Sequence, residues 1–85
     1  MKPVILTRHA RARMAQYQLT EAVVVATVRR PLWTCPDVRP GVERRFSQPP
    51  TLGGRFLRVA CVVESDHIRV LSAFPDRDAS PPDGA

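Results

Sequence analysis

Long apolar runs are missing from this 85-residue sequence. Nothing in it approaches the roughly 20 consecutive apolar residues that cross a bilayer, and its first residues lack the apolar segment of a secretory leader. A cytoplasmic protein with no membrane partner is therefore expected. Cysteine is scarce, and Cys35 and Cys61 are too far apart for a C-x-x-C metal or redox motif. Cys61 lies in Val59-Ala60-Cys61-Val62-Val63, where a thiol acts as a small hydrophobe. Serine-nucleophile motifs, phosphate-cradling glycine loops and helix-borne metal ligands are absent as well. Neither a metal nor another cofactor is implied.

What remains is an ordinary globular mixture, 44% apolar and 25% charged, long enough for one core. The charge is uneven. Twelve basic and five acidic side chains precede Pro75, whereas one basic and three acidic ones follow from there on. A small body of net +7 attracts anions, with nucleic acid or an acidic protein as the natural partners. An arginine-rich surface also serves solubility alone.

Residues 3–6 are extended by composition and lead to Thr7, an N-cap for a helix over Arg8–Tyr17. Ala10, Met14 and Tyr17 form its apolar stripe, and His9 and Arg13, four residues apart, flank that stripe. Thr20 caps a second helix with Glu21 in its first turn and Pro31 beyond its end. Strand and turn signals follow: Leu32–Val38 as an edge strand interrupted by Pro36, a turn at 39–41, a strand over Val42–Ser47, and a loop at 48–54.

The last two strands are the most informative. A two-residue turn at Ser65-Asp66 pairs Val63 with Ile68, Cys61 with Val70, Val59 with Ser72 and Leu57 with Phe74. These eight side chains form one face, apolar except for Ser72. The expected fold is α+β, with two N-terminal helices on one face of an antiparallel meander sheet. Residues 1–78 form the single domain and residues 79–85 a disordered tail.

Thr7-Arg8-His9-Ala10-Arg11-Ala12-Arg13-Met14, followed by Leu19-Thr20, resembles an uncharacterised family of small bacterial proteins that is itself similar to the RelE, ParE and BrnT toxins of toxin-antitoxin pairs. Gly54-Arg55-Phe56-Leu57-Arg58-Val59, Ile68-Arg69-Val70-Leu71 and Phe74-Pro75 extend the likeness over about residues 5–76. The resemblance implies a two-helix, antiparallel-sheet fold. For the toxin relatives it implies metal-independent RNA cleavage or a gyrase-directed activity, neutralised by an antitoxin. The sequence departs from the pattern at Tyr17-Gln18, where the family has Arg-Gly.

On that reading His9 and Arg13 are the candidate catalytic residues, an acid-base group and a phosphate clamp for RNA. They equally suit structural roles beside the core. Arg45, Arg58 and Arg69 are the candidate nucleic-acid contacts, provided that Phe46 shares the core face with Leu57 and so turns Arg45 outward. His67 is expected opposite Glu64 at the hairpin end, and Trp33 and Tyr17 could stack on bases or simply pack. Two functions thus stand side by side: a toxin-like ribonuclease neutralised by an acidic antitoxin, and a non-catalytic module binding nucleic acid or protein through the same basic face.

Overall fold

A computed structural model describes residues 1–82. The elements run β1 (Val4–Leu6), α1 (Arg8–Tyr17), α2 (Glu21–Arg29), β2 (Trp33–Pro36), β3 (Glu43–Ser47), a 3-10 turn (Pro50–Leu52), β4 (Phe56–Val63) and β5 (Ile68–Asp76). The fold is α+β, two helices on a five-stranded sheet of order β1-β5-β4-β3-β2. The sheet is mixed, which corrects the antiparallel meander expected from sequence: β1 pairs parallel with β5, while the other pairings are antiparallel. No helix is long and apolar enough to cross a membrane.

Both helices start where their caps dictate. Thr7 Oγ1 accepts the N–H of Ala10 at 3.1 Å, and Thr20 Oγ1 accepts that of Val23 at 3.2 Å. Thr7 also fixes where α1 lies, because its hydroxyl donates to the Val70 carbonyl at 2.8 Å and its N–H reaches the same oxygen. Between the helices Gln18 takes the left-handed conformation, φ 57°, the one non-glycine residue with positive φ among those described. Side chains other than glycine enter that region at a cost of about 1–2 kcal/mol.

The core joins Ala10, Met14, Leu19, Val24 and Val28 of the helical layer to Leu57, Val59, Cys61, Ile68, Val70 and Ala73 of the sheet. Leu52, from the loop after β3, closes one end. Tyr17 does not complete the expected stripe; it is 37% exposed. On the sheet side Thr27 is the buried polar residue, and its hydroxyl meets Ser47 Oγ at 2.6 Å and donates to the Val23 carbonyl at 2.8 Å.

The β4–β5 hairpin corrects the expected register. Val63–Ile68 and Cys61–Val70 pair as the turn requires, but Leu71 is then an extra residue, and beyond it Ala60 faces Ser72, Val59 faces Ala73, Arg58 faces Phe74 and Leu57 faces Pro75. A one-residue slip moves every later side chain to the opposite face. Ala73 thereby enters the core, while Ser72 and Phe74 leave it. Residues 79–82 have no regular structure, and the last part of the expected tail, 83–85, lies outside the described residues.

Candidate nucleic-acid interface

One sheet face is filled by the helices; no helix or strand of the described residues lies over the other. That outer face is a grid set by the ladder. Trp33, Phe46, Arg58 and Phe74 stand across it in one row, Cys35, Arg44, Ala60 and Ser72 in the next, and Val62, Arg69 and Ile5 in another. Trp33 stacks on Phe46 with ring centroids 4.6 Å apart and meets Phe56 edge-on at 5.0 Å. The stack leaves Phe46 only 4% exposed.

Phe46 therefore belongs to the outer face, and this overturns the expected place of Arg45. Arg45 stands opposite Val59, on the helix side. Its guanidinium donates to the Val28 carbonyl at 2.6 Å and to Glu43 Oε1 at 2.7 Å, and it is only 17% exposed. It bonds the last turn of α2, where carbonyls lack helical partners and favour a cation. The position has a structural explanation and lies apart from Arg58 and Arg69.

Arg58 and Arg13 do come together. The guanidinium of Arg58 lies 4.4 Å from the centroid of Phe74, and that of Arg13 lies 5.4 Å from the same ring. The cause is the bulge and the cap acting jointly. Leu71 turns Phe74 outward, and Thr7 anchors α1 at the bulge, so that Arg13 in the second turn crosses the edge of β5 beyond the last β1 pair, Leu6–Val70. Arg13 also approaches Tyr17 at 5.8 Å and donates to Gln16 Oε1 at 3.3 Å, while its Nε is buried with no acceptor. Arg58 has one acidic neighbour, Asp76 Oδ2, at 3.5 Å.

The remaining outer-face arginines are also matched with acids. Arg69 reaches Glu64 at 3.4 Å. Arg44 donates from Nε to Asp37 Oδ2 at 2.9 Å, and Arg39 binds the other carboxylate oxygen through both its backbone N–H and its Nε. These three contacts, those of Arg39 foremost, hold the Asp37 carboxyl well below the usual carboxylate range. Arg44 is thus locked into the β2–β3 turn.

Neither histidine enters a catalytic arrangement with these groups. His9 is exposed and has no side-chain hydrogen bond among the described residues. His67 Nδ1 lies 2.7 Å from Asp66 Oδ1, and this bond with the imidazole lowers the Asp66 carboxyl. Glu64 stands opposite His67 as expected, its backbone N–H donating to the His67 carbonyl at 2.8 Å, but its carboxylate meets Arg69. No group of three potential metal ligands exists among the described residues. Two open grooves, about 390 and 490 Å³, flank β2 and α2, and none of His9, Arg13, Arg45, Arg58 or Arg69 lines either.

Phe74 and Asp76 are the functional candidates that sequence reading missed. A signal for both was present: Ser72 is the polar exception in the unbroken register, and a single extra residue exchanges it for Ala73.

Residues 6–75 match the family described as a domain of unknown function, DUF4258, and the chain belongs to that family. No curated protein and no solved structure matches the chain.

Proposed function

We propose that this DUF4258 domain binds single-stranded RNA on its uncovered sheet face and acts by holding the strand rather than cutting it. The observation that carries the reading is the Arg13–Phe74–Arg58 cluster at the rim of a face bearing Trp33, Phe56 and Arg69. Single strands are bound by arginines that follow the phosphates and by aromatic rings in a shallow groove. The net charge of +5 supplies the long-range attraction. The likeness of the α1 motif to RelE, ParE and BrnT toxins implies RNA or gyrase as the target, of which RNA fits a basic face with aromatic rings, and it implies an acidic antitoxin as the protein that would compete for this face.

Cleavage without a metal needs a base within hydrogen-bond reach of the 2′-hydroxyl. His9, exposed in the first turn of α1, is the candidate base, and the experiment below separates cleavage from binding. The test is fluorescence polarisation of a labelled RNA octamer at low salt, with gel analysis of the same samples. Wild-type protein should bind without producing fragments, and Arg58→Ala and Arg69→Ala should each weaken binding and flatten its salt dependence. Absence of binding sinks the proposal; fragments that disappear in folded His9→Ala replace it with the nuclease reading.

A further inference from the structure

We infer that Arg13 and Arg58 form a site for one phosphate group, and that Asp76 occupies part of it in the free protein. This rests on the RNA-binding reading and names the group recognised there.

Three observations converge on the site. First, the Arg58–Asp76 contact is long. At 3.5 Å it exceeds the 2.7 Å of Arg45–Glu43 and the 2.9 Å of Arg44–Asp37, and is comparable with the well-exposed Arg69–Glu64 pair at 3.4 Å. Charge-assisted bonds of good geometry fall near 2.7–2.9 Å. Yet the two side chains are only 24% and 15% exposed, so water does not make up the deficit fully. Second, Arg13 has no carboxylate partner among the described residues, unlike Arg45, whose Nε is likewise buried without an acceptor but whose guanidinium is held by Glu43. Third, both guanidinium groups lie within 5.4 Å of the Phe74 centroid, and of the two only Arg58 meets a carboxylate.

A carboxylate offers two oxygens on one carbon; a phosphate offers more acceptors in a tetrahedral array, and a monoester offers a second charge. Arg58 with Arg13 suits the larger anion better than it suits Asp76. Release of Asp76 is also inexpensive. Its Oδ1 accepts the N–H of Asp78 at 2.9 Å, an anchor that remains when Oδ2 leaves Arg58. Beyond Val70 the edge of β5 has no strand partner in β1, and the side chains of Arg13, Phe74 and Asp76 there are partly exposed. Asp76 therefore acts as a built-in competitor that weakens phosphate binding.

The phosphate could be internal to a strand or terminal, and the experiment separates these sources. Inorganic phosphate is titrated into the 15N-labelled full chain while arginine Nε–H resonances are followed. In parallel, 5′-phosphorylated and 5′-hydroxyl RNA octamers are bound by polarisation. Asp76→Asn removes the competing charge but keeps an oxygen for the Asp78 N–H, and its thermal unfolding is checked first. In wild type, phosphate should shift Arg13 and Arg58 selectively, and Asp76→Asn should tighten both phosphate and RNA by about fivefold, on the order of one weak ion pair. Equal gains for the two octamers assign an internal phosphodiester, and a larger gain for the 5′-phosphorylated one assigns a strand end. Unchanged or weaker phosphate affinity in Asp76→Asn overturns the inference, even if wild type binds RNA. Phosphate binding that responds to Asp76→Asn in a chain that binds no RNA keeps the site and removes the RNA reading.

Discussion

Arg58 stands opposite Phe74 across the β4–β5 ladder, its guanidinium 4.4 Å from the ring centroid, because Leu71 is an extra residue on β5. A cation over an aromatic face contributes about 0.5–2 kcal/mol, more where water is excluded. A double-mutant cycle of Arg58→Gln and Phe74→Leu should return a coupling energy in that range by urea unfolding. A coupling indistinguishable from zero would mean that the two side chains only share a neighbourhood.

Gln18 holds φ 57° at the end of α1 without the freedom of glycine. Gln18→Gly should stabilise the domain by about 1 kcal/mol, since relief of the left-handed strain outweighs the added freedom of the unfolded chain. For a chain of this size the melting temperature should rise by about 4–8 °C. An unchanged or lower value would show that the Gln18 side chain offsets the strain.

Asp37 gives the β2–β3 turn a defined acid sensitivity. Its folded carboxyl titrates below the ordinary 3.8, so its contribution is complete above that pH and disappears as pH falls through the lower, folded value. Asp37→Asn should destabilise at pH 7, and the difference from wild type should shrink in the acid range below 3.8. Equal differences in urea at both ends would assign the effect to shape rather than charge.

The two thiols should separate cleanly. Burial pushes Cys61 up to about 11, with nearby Arg45 opposing the shift, whereas Cys35 is half-buried on the outer face. Because the thiolate is the reactive form, a thiol reagent at pH 8 should titrate Cys35 in the native protein and Cys61 only after unfolding. Fast native reaction of both would indicate that the β4 core opens readily.

How far the sequence discloses the molecule depends on whether a signal is local. Thr7 and Thr20 announce their helices because a cap needs only a hydroxyl and an N–H three residues on. The hairpin register is legible from the turn as far as Cys61–Val70 and then fails at the Leu71 bulge, beside which Thr7, from a distant part of the chain, bonds the Val70 carbonyl. Polarity alone points β3 the wrong way, because Phe46 is the more apolar neighbour and Arg45 the more polar one. Phe46 finds burial under Trp33, and Arg45 satisfies its charge at Glu43 and the end of α2. Of the proposed site residues, Arg13 and Arg58 were visible as types; their meeting at Phe74 is tertiary.

Val4 pairs with Ile68 and Leu6 with Val70, so the first strand of the chain borders the last. On a ribosome adding about 5–20 residues per second, β1 waits several seconds before its partner has been made. Through that interval Val4, Ile5 and Leu6 have no strand to pair with, the condition under which nascent chains associate wrongly. Arg8 and Arg11, immediately downstream and both exposed in the finished fold, place like charges beside that segment and oppose its self-association. That role ends when β5 emerges, although Arg11 keeps a contact with Glu21 at 2.9 Å in the finished fold.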